Sequence, residues 1–180
     1  MVGAFSIYAN KGVYNAPMMV TKIEDKYGNV LANFYPESRE VITENTAFLM
    51  ANLLQGVVDE GTGRRLRFRH GFKNQIGGKT GTTQNHSDGW FIGITPDLAG
   101  GVWVGAEDRS IHFQNLANGQ GASMALPIWA LFMQKVYADK SLAVPQSDFQ
   151  KPNGVNHVLD CGDADREGMT DYDSSDEIFD

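Results

Sequence analysis

Gln75-Ile-Gly-Gly-Lys-Thr-Gly-Thr-Thr83, Gly89-Trp-Phe-Ile-Gly-Ile-Thr95 and Gly101-Val-Trp-Val-Gly-Ala106 are three short runs rich in β formers. The connections between them are short and hold Gly, Pro, Asn and Asp, so the runs predict consecutive antiparallel strands. The second and third runs are apolar almost throughout. That predicts strands buried on both faces, and hence a sheet covered by helices on each side. Trp90 and Trp103 lie on these two neighbouring strands and read as core residues.

Moving outward, residues 122–139 read as a helix, with Met124, Ile128, Leu131, Phe132, Lys135 and Val136 at helical spacing and Pro127 in the first turns. Upstream, residues 43–60 give the clearest helical pattern. Ala47, Met50, Ala51, Leu54 and Val58 share one face, while Glu44, Asn45, Asn52 and Asp59 fall elsewhere. Gly61-Thr-Gly63 ends this helix. Residues 18–24 and 30–35 read as a hairpin around Gly28-Asn29. Val2, Phe5, Ile7 and Ala9 read as the end of a buried helix stopped by Asn10-Lys-Gly12. The fold class is therefore α+β, an antiparallel sheet flanked by helices.

The chain has 180 residues, 42% hydrophobic and 21% charged, as in an ordinary globular protein. It holds no apolar run long enough for a membrane-spanning helix. Met1-Val-Gly-Ala-Phe-Ser-Ile-Tyr-Ala-Asn10 carries neither a basic leader nor a cleavage site, so it is not expected to be a signal peptide. The single cysteine, Cys161, excludes an internal disulfide and a cysteine-based zinc site. His70, His86, His112 and His157 lack metal-type spacing, so no metal and no cofactor is expected.

The net charge of -7 is unevenly spread: residues 157–180 hold nine acids against Arg166, while residues 1–156 are near neutral. Residues 144–180 accordingly read as an irregular, acidic, disordered tail, and residues 1–143 as the structured body. Arg64, Arg65, Arg67 and Arg69 form one short basic cluster, read as solvated surface. Without interleaved aromatics beyond Phe68 or a wider basic surface, it does not make a nucleic-acid site.

Gly77-Gly-Lys-Thr-Gly-Thr-Thr83 is the stretch where chemistry can reside. A phosphate loop would need glycine five residues before Gly78, and Lys73 stands there, so that reading fails. A Lys-Thr-Gly strand beside a serine nucleophile fits better. Gly77, Gly78 and Gly81 leave room for a ligand backbone against the strand. Lys79 offers a cation for a carboxylate, Thr80 and Thr82 offer hydroxyls, and an edge N–H can stabilise an oxyanion.

The flanking blocks carry a wider resemblance. Ala9-Asn-Lys-Gly-Val-Tyr14, Lys22-Ile-Glu-Asp-Lys-Tyr-Gly-Asn-Val30, Gly56-Val-Val-Asp-Glu-Gly-Thr-Gly63, Gly78-Lys-Thr-Gly-Thr-Thr83, Asp88-Gly-Trp-Phe-Ile-Gly-Ile-Thr-Pro96, Val102-Trp-Val-Gly105 and Ala125-Leu-Pro-Ile-Trp129 occur in that order. Over roughly three quarters of its length the chain resembles the C-terminal part of the transpeptidase domain of class A (bifunctional) penicillin-binding proteins. The resemblance implies part of the serine β-lactamase and penicillin-binding transpeptidase fold. It implies a peptidoglycan D,D-transpeptidase, in which a serine attacks the penultimate D-alanine of a stem peptide, releases the last D-alanine and passes the acyl group to a neighbouring amine. Expected partners are D-Ala-D-Ala stem peptides, β-lactams and the upstream part of the same protein, with no nucleic acid and no membrane contact by this segment. By the same resemblance Lys79, Thr80, Gly81 and Thr82 bind substrate, and the Thr82 N–H forms half of an oxyanion hole.

One departure matters. None of the nine serines has lysine three residues on or asparagine two residues on. The family's Ser-x-x-Lys and Ser-x-Asn elements are thus expected upstream of Met1, together with a glycosyltransferase domain and membrane anchor, on the periplasmic face of a bacterial inner membrane. The nucleophile is absent from this chain, which is expected to be inactive alone. A non-catalytic binding remnant and a β-lactamase fragment are the alternatives. His86 and Ser87-Asp88, just beyond the Lys-Thr-Gly run, read as loop and strand-entry residues.

Overall fold

The computed structural model describes residues 1–155. Its centre is a three-stranded antiparallel sheet in the order β5 (Gly77–Thr82), β6 (Asp88–Ile94), β7 (Ala99–Gly105). Registers Lys79↔Ile92 and Trp90↔Trp103 align the three runs as the sequence predicts. Helices α1 (Val2–Ala9) and α2 (Glu44–Asp59) pack on the sheet, as do the short α5 (Gly121–Met124) and the longer α6 (Leu126–Ala138). A short α3 (Arg65–Phe68) follows α2, and α4 (Leu116–Gly119) precedes α5. Two peripheral ribbons complete the fold, β1 (Val13–Asn15) with β4 (Ser38–Glu40) and β2 (Lys22–Glu24) with β3 (Val30–Asn33).

α1 stops where the sequence says. Gly12 adopts φ of +94° and its N–H bonds Ile7 O at 2.9 Å; a Cβ there would run into Ile42 O. No residue of α1 is fully buried; Phe5, Tyr8 and Ala9, half-buried, pack beside the Ala51, Leu54 and Ile94 cluster. α2 begins on Thr43, whose hydroxyl accepts from Thr46 N–H at 3.2 Å. Ala47, Ala51, Leu54 and Val58 form its buried face, while Met50 is half-exposed. The β2–β3 hairpin is shorter than expected. An Asp25 carboxylate that accepts from Tyr27 N–H (2.8 Å) and Asn29 N–H (2.9 Å) forms its turn.

Three expectations need correction. First, only β6 is buried on both faces. β7 alternates, with Val102 and Val104 turned toward the α6 cluster and Trp103 48% exposed, because β7 is an outer strand of the sheet. Trp90, opposite Trp103, is half-buried. Second, the buried face of the last helix is Leu126, Trp129, Ala130, Met133 and Val136. Ile128, Leu131 and Phe132 are 50%, 56% and 53% exposed. The helix phase is set by Trp129, which stands over Gly93 and donates from Nε1 to Gly100 O at 3.2 Å. Third, two of the four arginines are internal clamps. Arg65 donates to Ala122 O (3.0 Å) and Ser123 Oγ (2.7 Å); Arg67 holds Asp59, Phe72 O and Asn74 O.

From 144 to 155 the chain has no helix or strand. Phe149 nevertheless packs on the Ala51, Leu54 and Ile94 cluster, its N–H bonds Gln75 Oε1 at 2.8 Å, and Val155 is buried. The acidic stretch expected to be disordered lies, from residue 156 onward, outside the described residues.

The helix phase is testable by thermal or urea unfolding. Met133→Ala should cost about 2–5 kcal/mol, while Leu131→Ala and Phe132→Ala should each cost under about 1 kcal/mol. A pH dependence follows from His70, between α3 and β5, which burial and the neighbouring Arg69 hold below its ordinary value of 6.5. A lowered imidazole means the unfolded chain takes up the proton first, so stability is full above about 6.5 and declines as pH falls through the folded value. Hydrogen bonds hold the exposed carboxyls of Asp25, Asp108 and Asp139 below 3.8, so they act only in a lower window. Unfolding midpoints between pH 7.5 and 5 should fall for the unsubstituted chain and flatten in His70→Gln.

Candidate functional site

β5 has β6 on one side, and its other edge carries no strand among the described residues. Its backbone polarity follows from the hairpin end. Thr83 N–H donates to Asp88 O at 3.1 Å, which makes Thr83 and Asp88 a hydrogen-bonded pair. Antiparallel pairs alternate, so Gly81/Trp90 and Lys79/Ile92 are bonded, and Thr82/Gly89 and Thr80/Phe91 are not. The N–H and C=O of Thr80 and Thr82 therefore face the open edge.

The side chains on this edge are accessible. Lys79 and Thr82 are exposed, and Thr80 and Gly81 are half-exposed. Lys79 Nζ folds onto its neighbour's outward carbonyl, donating to Thr80 O at 2.8 Å. Among the described residues no acidic side chain pairs with it. The two hydroxyls are less free than the sequence implies. Thr80 Oγ1 shares a hydrogen bond with Thr62 Oγ1 at 2.8 Å, and Thr82 Oγ1 accepts from Gly121 N–H at 3.0 Å. Each pair still has an O–H able to donate outward.

The glycines divide by role. Gly77 and Gly78 are buried by the chain itself. A Cβ on Gly77 would lie 3.0 Å from Leu54 Cβ, and one on Gly78 2.8 Å from the Phe91 ring. They serve packing, contrary to the expectation that they make room for a ligand. Gly81 is the one of the three at the accessible end of the strand.

Two features beyond β5 were not legible as part of the site. Gly121 opens α5 directly over the strand, where a Cβ would collide with Gly81 O and Trp90 O. Thr83, Ser87 and Asp88 form a hydrogen-bonded group that closes the β5–β6 turn. The signal available was the polar spacing Thr83, Ser87-Asp88 across a four-residue turn. His86 sits against Gly119, and its backbone O accepts from Phe113 N–H at 3.3 Å, as suits a loop residue. Among the described residues no group of three or more His, Cys, Asp or Glu could hold a metal ion, and no helix is long and apolar enough to cross a membrane.

Residues 1–122 match the profile of the penicillin binding protein transpeptidase domain. The chain belongs to that family. Among curated relatives, penicillin-binding protein 1A of Aquifex aeolicus (strain VF5) is 34% identical over 152 residues, covering 84% of this chain and 20% of that protein. Penicillin-binding protein 2D of Bacillus subtilis (strain 168) is 32% identical over 165 residues, covering 88% and 22%. The chain thus spans about one fifth of the length of these relatives. Among solved structures, penicillin-binding protein 1A from Haemophilus influenzae superposes with a TM-score of 0.72 at 24% identity, covering 84% of this chain and 27% of that one. These likenesses bear out the class A resemblance and the α+β, β-lactamase-like fold. In this transpeptidase-family chain the Lys-Thr-Gly run and Thr82 form the accessible part of β5, the edge strand beside β6.

Gly121→Ala tests how closely α5 holds that edge. Both obstructing atoms are backbone carbonyls of the sheet, so the added methyl should force α5 away and break the Gly121–Thr82 bond. A loss of at least about 2 kcal/mol in urea unfolding is expected, with amide shifts of Gly81 and Thr82 moving more than those of Ile94.

Proposed function

We propose that this chain supplies one wall of a D,D-transpeptidase site that cross-links peptidoglycan stem peptides, with Lys79, Thr80, Gly81 and Thr82 gripping the D-Ala-D-Ala end of the donor. The observation that carries this reading is an open strand edge whose outward N–H groups stand beside an exposed lysine without an acidic partner among the described residues. Lys79 swings from Thr80 O to the terminal carboxylate, while Thr80 and Thr82 donate hydroxyl bonds to it. The Thr82 N–H points to the penultimate carbonyl oxygen, where negative charge develops as a serine oxygen attacks. Collapse of that tetrahedral species expels D-alanine and leaves the acyl group on serine; an amine of a second stem then displaces the serine. β-Lactams occupy the same edge.

The serine is not in this sequence, because no serine is followed at the third residue by lysine. The chain alone therefore binds and does not acylate. Membership of the penicillin-binding transpeptidase family supports a location on the periplasmic face of a bacterial inner membrane.

An exposed lysine–carboxylate pair is worth about 1 kcal/mol or less, so the edge N–H groups must supply comparable affinity. Titrating the chain with an acetylated peptide ending in D-Ala-D-Ala should shift the amides of residues 79–83. Lys79→Met should weaken binding roughly fivefold, and a peptide ending in L-Ala-L-Ala should bind less. Unchanged affinity in Lys79→Met would overturn the reading. A fluorescent penicillin should leave no covalent band on the 180-residue chain.

A further inference from the structure

The turn between β5 and β6 is strained, and beside its backbone bonds, Thr83 N–H to Asp88 O (3.1 Å) and His86 N–H to Thr83 O (3.2 Å), one hydroxyl ties its base. Asn85 and His86 adopt φ of +59° and +55°, consecutive left-handed positions without glycine. Across the base of this turn Thr83 Oγ1 meets four polar groups. It lies 3.0 Å from Asp88 Oδ2, 3.2 Å from Asp88 O, 3.0 Å from Ser87 Oγ and 3.1 Å from Asp88 N. A hydroxyl has one proton and two acceptor positions. The charged oxygen takes the proton, and the hydroxyl accepts from Asp88 N–H and Ser87 O–H. Ser87, only 7% exposed, in turn accepts from Arg109 Nε–H at 3.4 Å. The donors thus run in one direction, Arg109 to Ser87 to Thr83 to the Asp88 carboxylate.

Thr82 sits one residue before this group. It has no backbone bond to β6 of its own, because its pair with Gly89 is the non-bonded kind. Its hydroxyl is held by Gly121 N–H, and its peptide direction is set by the bonded pairs on either side, Gly81 with Trp90 and Thr83 with Asp88, the second of which is the end of the ladder. An unsupported ladder end beside a strained turn frays, and the fraying edge would carry the Thr82 N–H with it.

We propose that Thr83, backed by Ser87 and Asp88, is a positioning residue that sets the direction of the Thr82 N–H toward a bound carbonyl oxygen. Thr83 touches no substrate; it acts through Thr82. The proposal rests on the function given above, so its test has one arm that needs no ligand.

Thr83→Val keeps the shape and removes the hydroxyl, and Thr83→Ser keeps the hydroxyl. In amide-resolved hydrogen exchange on the full chain, Thr83→Val should raise exchange at Thr83 and Asp88 at least ~10-fold, as expected for losing a bond to a charged group. Ile92 and Ile94 should stay within twofold. Affinity for the D-Ala-D-Ala peptide should fall about fivefold, and Thr83→Ser should restore both measures. Asn85→Gly, which relaxes the turn, should partly restore protection in the Thr83→Val background. Exchange at Thr83 and Asp88 within twofold of the unsubstituted chain would overturn the proposal, as would equal loosening at Ile92 and Ile94 or unchanged peptide affinity with the hydroxyl gone. If the unsubstituted chain does not bind the peptide, the function proposed above falls; the exchange pattern still decides whether Thr83 pins the hairpin.

Discussion

An antiparallel strand bonded on one side leaves every second peptide group looking the other way, and β5 is held in that condition. β6 takes the N–H and C=O of Lys79 and Gly81; Thr80 and Thr82 are left to the open edge. An unpaired edge invites association with other chains, and folds commonly blunt it with charge or cover. Lys79 supplies the charge, and α5, seated on Gly121, supports Thr82 from the adjoining carbonyls without closing the edge. The remainder of the sheet has to be rigid for this to matter. Phe91 is fully buried on β6, and Trp129 fills the space over Gly93, so the strand next to the edge is fixed by close packing.

What could be read from the residues depended on whether the cause was local. The three strands announce themselves because β formers and turn residues alternate at short range, and α2 because its apolar positions form one stripe bounded by Thr43 and Gly61. α6 is different. Leu126, Ile128, Trp129, Ala130, Leu131, Phe132 and Met133 are apolar almost all round the helix, so periodicity leaves its rotation undetermined. The rotation is decided by a tertiary fit, an indole over two small residues and a hydrogen bond to Gly100 O. The arginine cluster fails for a related reason. The partners of Arg65 and Arg67 include backbone carbonyls at Phe72, Asn74 and Ala122, which have no signature in the sequence.

The site divides along the same line. Lys79, Thr80, Gly81 and Thr82 are contiguous, so a short motif places them on one strand. That Thr80 is tied to Thr62 and Thr82 to Gly121 is a matter of packing between distant segments. The buried Gly77 and Gly78 look like ligand clearance in the sequence. In the fold they admit α2 and the Phe91 ring, because glycine has the same appearance whichever neighbour approaches.

Magnitudes explain why the turn after β5 needs its polar group. Each left-handed residue without glycine costs about 1–2 kcal/mol, somewhat less for asparagine. Two in succession at Asn85 and His86 thus oppose closure by a few kcal/mol. A single neutral hydrogen bond returns about 1 kcal/mol, and one to a carboxylate about 1.5–3 kcal/mol. The backbone bonds of the turn, Thr83 N–H to Asp88 O and His86 N–H to Thr83 O, together return about 2 kcal/mol and fall short of that cost. Adding the bonds of Thr83 Oγ1 to the Asp88 carboxylate and main chain brings the two sides to the same size. The last rung of the ladder, and with it the edge at Thr82, is kept in place by side chains of the turn that follows it.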